Sequence, residues 1–282
     1  MSMTHRFQLV DVFSEQPFSG NPLAVVFDAD DLSTGQMQTI TRWLNLSETA
    51  FLLTPEHPLA DYRVRIFTLD RELPFAGHPT LGACHAWLSG GGTPHHEREI
   101  IQQCGAGLIT IRRSESSLAF AAPPLLRSGP VDEAVLVDMA RFLRIDRSAI
   151  VDAQWADNGP GWMVLLLESA AAVLALEPQR DYPVRLDLGV VGAYPVGGDA
   201  AFELRAFLTD QHGAVHEDPV TGSLNASTAQ WLLATGRAEA PYFATQGSRL
   251  GRAGRIHLSV DTQGGVWVGG KTMTLFSGQG GF

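Results

Sequence analysis

One pattern, Arg-x-Phe-x-x-Asp, stands twice in this chain: at Arg65-Ile66-Phe67-Thr68-Leu69-Asp70 and, 140 positions on, at Arg205-Ala206-Phe207-Leu208-Thr209-Asp210. Each copy leads through a polar loop into a small, apolar segment. The first loop contains Gly77-His78-Pro79-Thr80, and its segment ends in Ala86-Trp87-Leu88. The second contains Thr221-Gly222-Ser223 and ends in Gln230-Trp231-Leu232, so the Trp-Leu pairs stand 144 apart. The four extra residues fall in the second loop, around His216-Glu217-Asp218. Similar packing demands alone can make strand–loop–helix units converge. Several matches in one order favour a duplicated unit instead, and a duplicated unit expects two domains about a pseudo-twofold axis, with equivalent loops facing one cleft.

The length agrees with that. At roughly 150 residues per domain, 282 residues make about two. Short segments rich in Val, Ile and Phe, bounded by Gly, Pro, Asn or Asp, read as strands: Phe7–Phe13, Leu23–Phe27, Ala50–Leu53, Arg63–Thr68, Leu108–Arg112, Met163–Leu167, Phe202–Leu208, Ile256–Val260 and Val266–Val268. Ser33 is placed to cap a helix carrying Met37, Ile40 and Leu44. Val135, Met139, Phe142 and Leu143 mark another helix. Thr80–Leu88 and Leu224–Leu233 are apolar nearly all round, as buried helices are. Ala122–Asp132, with three prolines and a glycine, is the expected linker. The expectation is an α+β chain of two similar domains, 1–122 and 131–270, each a curved mixed sheet or barrel wrapped on a central helix.

Composition narrows the function. The net charge is −10 with no block of Lys and Arg, which disfavours nucleic-acid and anionic-membrane partners. The longest apolar run, Ala170 to Leu176, is far short of the roughly 18 residues of a membrane span. Met1–Gln8 has no signal-peptide pattern, and Cys84 and Cys104 form no CxxC pair. A reducing, cytoplasmic setting without disulfides is expected.

Three loops concentrate polar residues at strand ends. Asn45-Leu46-Ser47-Glu48-Thr49-Ala50-Phe51 puts a carboxylate between a helix and a strand. Pro74-Phe75-Ala76-Gly77-His78-Pro79-Thr80 puts an imidazole at a helix start. His216-Glu217-Asp218-Pro219-Val220-Thr221-Gly222-Ser223 puts a carboxylate and a hydroxyl at the other. Helix N-termini favour anions, so a small carboxylic acid is the expected ligand.

With Ser19-Gly20-Asn21-Pro22-Leu23-Ala24-Val25-Val26, these segments resemble, in order and spacing, the signature blocks of the phenazine-biosynthesis PhzF-like family, and the resemblance covers essentially the whole chain. It implies the diaminopimelate-epimerase-like fold, with the site between two similar domains, a C-terminal strand about 270–282 returning to the first, and a homodimer. It implies Glu48 as the acid/base and His78, Asp218 and Ser223 as groups that hold and polarise substrate. Gly77, Pro79, Thr80, Gly222, Leu224, Asn21 and Ser47 are expected to line the substrate. The implied activity is a cofactor-independent isomerase moving a proton between carbons of a small acid; a catalytically silent small-acid binder on the same fold is the alternative.

Related epimerases use a cysteine on each face; Cys84 and Cys104 stand at neither helix start, so one glutamate is left to do the work. Leu224-Asn225 departs from the Ala and small residue or His with which the family commonly continues after Gly222-Ser223, and alters the expected pocket wall. Asp218 and Ser223 are also ordinary N-cap residues. Trp87 and Trp231 read as core and His95-His96 as an exposed turn. A metal held by His78, His216, Glu217 and Asp218 lacks a preorganising helical spacing, so no metal is expected. Gly105-Ala106-Gly107-Leu108 lacks the third glycine of a dinucleotide turn.

Overall fold

The computed structural model describes residues 4–281; Met1–Met3 and Phe282, at the ends of the expected first domain and returning strand, lie outside the described residues. The chain divides into two compact units, Met1–Ala121 with Gly269–Phe282, and Ala122–Val268.

In the first unit neighbouring strands run Thr272–Gly281, Thr4–Val12, Asn21–Val26, Glu48–Leu53, Tyr62–Thr68, Glu99–Cys104, Gly107–Arg113 and Leu118–Ala121. Two pairings are parallel: Asn21–Val26 with Glu48–Leu53, and Tyr62–Thr68 with Glu99–Cys104. A parallel step needs a long crossover. Helix α1 (Thr34–Leu44) spans the first and α2 (Gly77–Ser89) the second. A short strand, Glu72–Leu73, folds back on Tyr62–Thr68.

The second unit opens with Arg127–Pro130, then α3 (Glu133–Leu143). Its strands neighbour one another as Arg127–Pro130, Ile150–Asp157, Met163–Leu167, Asp187–Ala193, Phe202–Thr209, Tyr242–Gln246 and Gly254–Val260. Two parallel pairings recur at the corresponding places. They are spanned by α4 (Ala170–Leu174) and α5 (Gly222–Ala234), and Val215–Asp218 folds back on Phe202–Thr209. The two units thus share one strand order with the same parallel steps, the α+β architecture expected.

Local chemistry accounts for the helices. Ser33 caps α1 through a capping box with Gln36, as its sequence position predicts. Asn45, in the left-handed region at φ 55°, ends it. Helix α2 packs against Thr4–Val12, Asn21–Val26, Glu48–Leu53, Leu118–Ala121 and Thr272–Gly281, so this sheet curls around it. Trp87 stacks on buried Tyr62 at 5.2 Å, and Trp231 of α5 is core. In the second unit Leu136, Met139, Phe142 and Leu143 of α3 join Leu165, Leu188, Val190 and Phe207 in one cluster. Each such side chain contributes about 1.5–3 kcal/mol on full burial.

Three local expectations shift. Helices α2 and α5 begin at Gly77 and Gly222, earlier than Thr80 and Leu224. The first turn accepts Pro79 because its missing N–H would have no intrahelical partner there. The segment expected as linker contains the strand Arg127–Pro130, paired with Ile150–Asp157; proline at the end of a strand breaks no ladder. Glu99–Cys104, Ile150–Asp157, Asp187–Ala193 and Tyr242–Gln246 are strands that the apolar patterns do not reveal, because Gln, Asp, Thr or Gly interrupts each.

Candidate active site

In the first unit α1 ends at Asn45 and the chain enters a strand at Glu48, so the carboxylate stands at the strand's first residue. Antiparallel pairing sets Glu48 opposite Thr68, on the strand that leads towards α2. His78, in the first turn of α2, then places its Nε2 3.6 Å from Glu48 Oε2. The imidazole is 4 % exposed, and burial pushes its pKa down to about 3. At neutral pH it is uncharged, so this contact is no ion pair. On its other side Asn21 Nδ2 lies 3.4 Å from His78 Nδ1. An amide nitrogen only donates, so Nδ1 accepts and the ring proton is left on Nε2, facing Glu48.

Asn21 is itself held in place. Asp11, 1 % exposed, accepts hydrogen bonds from the backbone N–H of Ser19 and Gly20, both at 2.9 Å. A Cβ on Gly20 would stand 2.1 Å from the carbonyl oxygen of Val12, so only glycine fits. This is the physical content of the Ser19-Gly20-Asn21-Pro22 block. The intrahelical ladder of α2 begins with Thr80 N–H to the Ala76 carbonyl at 3.1 Å. Gly77 and His78 precede it, so their N–H groups stand ahead of the ladder at the end of the helix that favours anions. Ser47 is exposed next to Glu48.

In the second unit the cap of α5 is Thr221, not Asp218 or Ser223. The Thr221 hydroxyl donates to Asp218 Oδ2. Fully buried Gln246 organises the turn. Its Oε1 accepts from Thr221 N–H (3.0 Å) and from Asn225 Nδ2 (2.9 Å), and its Nε2 donates to Thr221 Oγ1 (2.9 Å) and the Asp218 carbonyl (3.0 Å). Asn225 also donates to the Thr221 carbonyl at 3.0 Å. The departure at Leu224-Asn225 therefore serves this buried network. The ladder of α5 begins with Asn225 N–H to Thr221, which leaves the N–H groups of Gly222, Ser223 and Leu224 ahead of it.

Two expected lining residues take other places. Leu224 is fully buried, and its side chain fills the space a Cβ on Gly189 would occupy, 2.3 Å away; it is core, and only its backbone faces the helix start. Thr80 is fully buried too, its hydroxyl accepting from Gln102 Nε2 at 3.0 Å while Tyr62 donates to Gln102 Oε1 at 2.9 Å. Both sit beyond the helix's opening residues, where the helix axis has carried the side chains inside the curled sheet. In the rival metal set, Glu217 is forked by Arg205 and His216 turns to Asp210 at 3.5 Å.

Residues outside the expected set hold Ser223. Trp162 Nε1 donates to Ser223 Oγ at 3.0 Å, and Asn158 Nδ2 donates to the Ser223 carbonyl at 2.9 Å. Asn158-Gly159-Pro160-Gly161-Trp162, a cluster of turn residues closed by a tryptophan, is the sequence signal for them. Gln102 and Gln246 had a signal as well, since they stand 144 apart like the Trp-Leu pairs. The thiols play no comparable part: burial pushes Cys84 up to about 12 and raises Cys104 as well, so neither is a thiolate near neutrality.

A duplicated α+β unit, each copy presenting polar side chains at the first turn of a buried helix, is the architecture of an epimerase-like isomerase. A predicted epimerase of Pseudomonas aeruginosa, of solved structure, matches it with TM-score 0.80 at 27% identity, covering 99% of both chains. The family model of phenazine biosynthesis-like proteins, PhzC-PhzF, matches residues 10–278. The trans-2,3-dihydro-3-hydroxyanthranilate isomerase of Pseudomonas chlororaphis is 35% identical over 83% of this chain and 82% of its own. Antisense-enhancing sequence 1 of Schizosaccharomyces pombe is 35% identical over 98% of each. The chain belongs to the phenazine biosynthesis-like (PhzF) family and is an isomerase.

Proposed function

We propose that this isomerase moves a proton between two carbons of a small carboxylic acid without a cofactor, with Glu48 as the single acid/base. The observation that carries the reading is the pair Glu48–His78: a partly buried carboxylate beside an imidazole that burial holds neutral. A neutral N–H orients and polarises the carboxylate without cancelling its charge, so Glu48 stays a base. It takes a proton from one carbon, the electron pair delocalises towards the substrate's unsaturated system, and the resulting acid returns the proton to another carbon. General acid–base catalysis of this kind contributes roughly 10²–10⁴-fold. The remaining stabilisation falls to donors aimed at developing negative charge: the first-turn N–H groups of α2 and α5 and the Ser223 hydroxyl. Asp218, held by Thr221, is suited to accept from an amino or hydroxyl group of the substrate.

The substrate class proposed is that of the named relative, a dihydro-hydroxyanthranilic acid. The setting proposed is cytoplasmic, supported by two free thiols, and the assembly is the homodimer the family resemblance implies, which sedimentation equilibrium tests. No helix among the described residues is long and apolar enough to cross a membrane. The decisive experiment is turnover of trans-2,3-dihydro-3-hydroxyanthranilate in D₂O by wild type and Glu48→Gln. Loss of deuterium incorporation with binding retained is expected. Exchange at the wild-type rate in E48Q overturns the assignment.

A further inference from the structure

We propose that Trp162 is a positioning residue for this reaction, acting through Ser223; the inference rests on reading Ser223 as a group that contacts substrate. A serine hydroxyl rotates to suit its surroundings and both donates and accepts. Here one role is already assigned. The Trp162 indole only donates, and it donates to Ser223 Oγ at 3.0 Å, so the proton of Ser223 is directed away from the indole. An oriented O–H of that kind serves an anionic oxygen, such as a substrate carboxylate.

The indole has little freedom to yield. Trp162 is 1 % exposed, and Asn158 grips the Ser223 carbonyl from the same loop. The loop is braced at its base, where Asp157 Oδ1 accepts from the N–H groups of Gly159 (2.7 Å) and Gly161 (2.8 Å). Arg185 Nη2 holds the Pro160 carbonyl at 2.9 Å. Both contacts to Ser223 thus come from one loop fixed by other residues, the preorganisation that catalytic hydrogen bonds require.

The test is a double-mutant cycle of Trp162→Phe and Ser223→Ala, read as kcat and KM for trans-2,3-dihydro-3-hydroxyanthranilate in D₂O. W162F keeps the ring and removes the donor. It should lower kcat/KM by about 5- to 10-fold, the scale of one lost neutral hydrogen bond, and divide that loss between kcat and KM as S223A does. In the S223A background it should cost nothing further. Additive losses, or an unimpaired W162F beside an impaired S223A, overturn the inference alone; an unimpaired S223A overturns the reading of Ser223 and the inference with it. If wild type leaves that acid untouched, the same cycle is read as anthranilate affinity by calorimetry, and a protein that does not bind anthranilate overturns both. If W162F does not fold, the indole N–H resonance of Trp162 decides. Anthranilate should shift it in wild type and not in S223A, and equal shifts in both overturn the inference.

Discussion

The two units carry the same ion pair in different surroundings. Arg65 forks Glu72 at 2.8 and 2.6 Å and lies over Phe67; Arg205 forks Glu217 at 2.9 and 2.7 Å and lies over Phe207. In the first unit the side chains are 20% and 38% exposed, in the second 5% and 11%. Arg205 also donates to the Val173 and Leu176 carbonyls at the end of the short helix α4, whereas Arg65 reaches Thr34 at the start of the longer α1. The repeated Arg-x-Phe motif is therefore a brace between a central strand and its hairpin, common to both copies and independent of the chemistry.

At the helix starts the copies diverge. The second residue of α2 is His78, held by Asn21; the second residue of α5 is Ser223, held by Trp162 and Asn158. Glu48 pairs with Thr68, and at the corresponding register position of the second unit Asp187 pairs with Leu208. The surroundings of these acids differ in charge: Glu48 faces a neutral imidazole, while Asp187 accepts from the Arg185 guanidinium at 2.8 Å. A carboxylate tied to a permanent cation is a poor base, because the cation favours its ionised form. One scaffold was kept twice, and on the proposed mechanism the residues at 48, 78, 187 and 223 distinguish the copy that moves the proton.

The largest expected effect breaks or upholds that asymmetry directly. E48Q should lose about 10²–10⁴-fold in turnover, whereas Asp187→Asn should stay near wild type. Comparable losses in both variants would erase the distinction between the acids.

Acid sensitivity follows from His78. Its pKa is about 3 when folded against 6.5 unfolded, so the unfolded chain binds the extra proton first. The stability present above pH 6.5 is lost as pH falls towards 3, by about 5 kcal/mol at most. Ser223, in the matching place, does not titrate. Urea midpoints between pH 7 and 3 should fall less steeply in His78→Asn than in wild type; an unchanged slope would refute this account of the imidazole.

The braces give the smallest pair of effects. Arg205→Met leaves Glu217 buried without its cation and should cost about 3–5 kcal/mol. Arg65→Met, at a more solvated pair, should cost about 0–1 kcal/mol. Equal shifts in urea denaturation would show that burial does not separate the two forks.

Much of this was legible in particular residues. Ser33 announces the start of α1, the nearly all-round apolar character of Thr80–Leu88 announces a buried helix, and Glu48, His78, Asp218 and Ser223 stand out in their polar loops. That the Thr80 and Leu224 side chains are buried is not legible in the sequence, because nearness to a loop does not say which way a helical side chain points. Beyond their shared spacing of 144, nothing in the sequence shows that Gln102 and Gln246 are buried, because a glutamine in a strand looks solvated until its hydrogen-bond partners are known.

The sequence by itself determined the duplication and the buried helices, since these depend on residue type and short spacing, and its resemblance to the family singled out Glu48 as the candidate acid. Tertiary structure decided that Glu48 meets a neutral imidazole and that Asp187 meets a guanidinium. It also decided that Trp162 reaches a serine 61 residues away in the chain. Those meetings depend on strand register and on parallel steps that bring distant segments side by side. Burial then sets protonation there, as at His78, because a charge without water is costly.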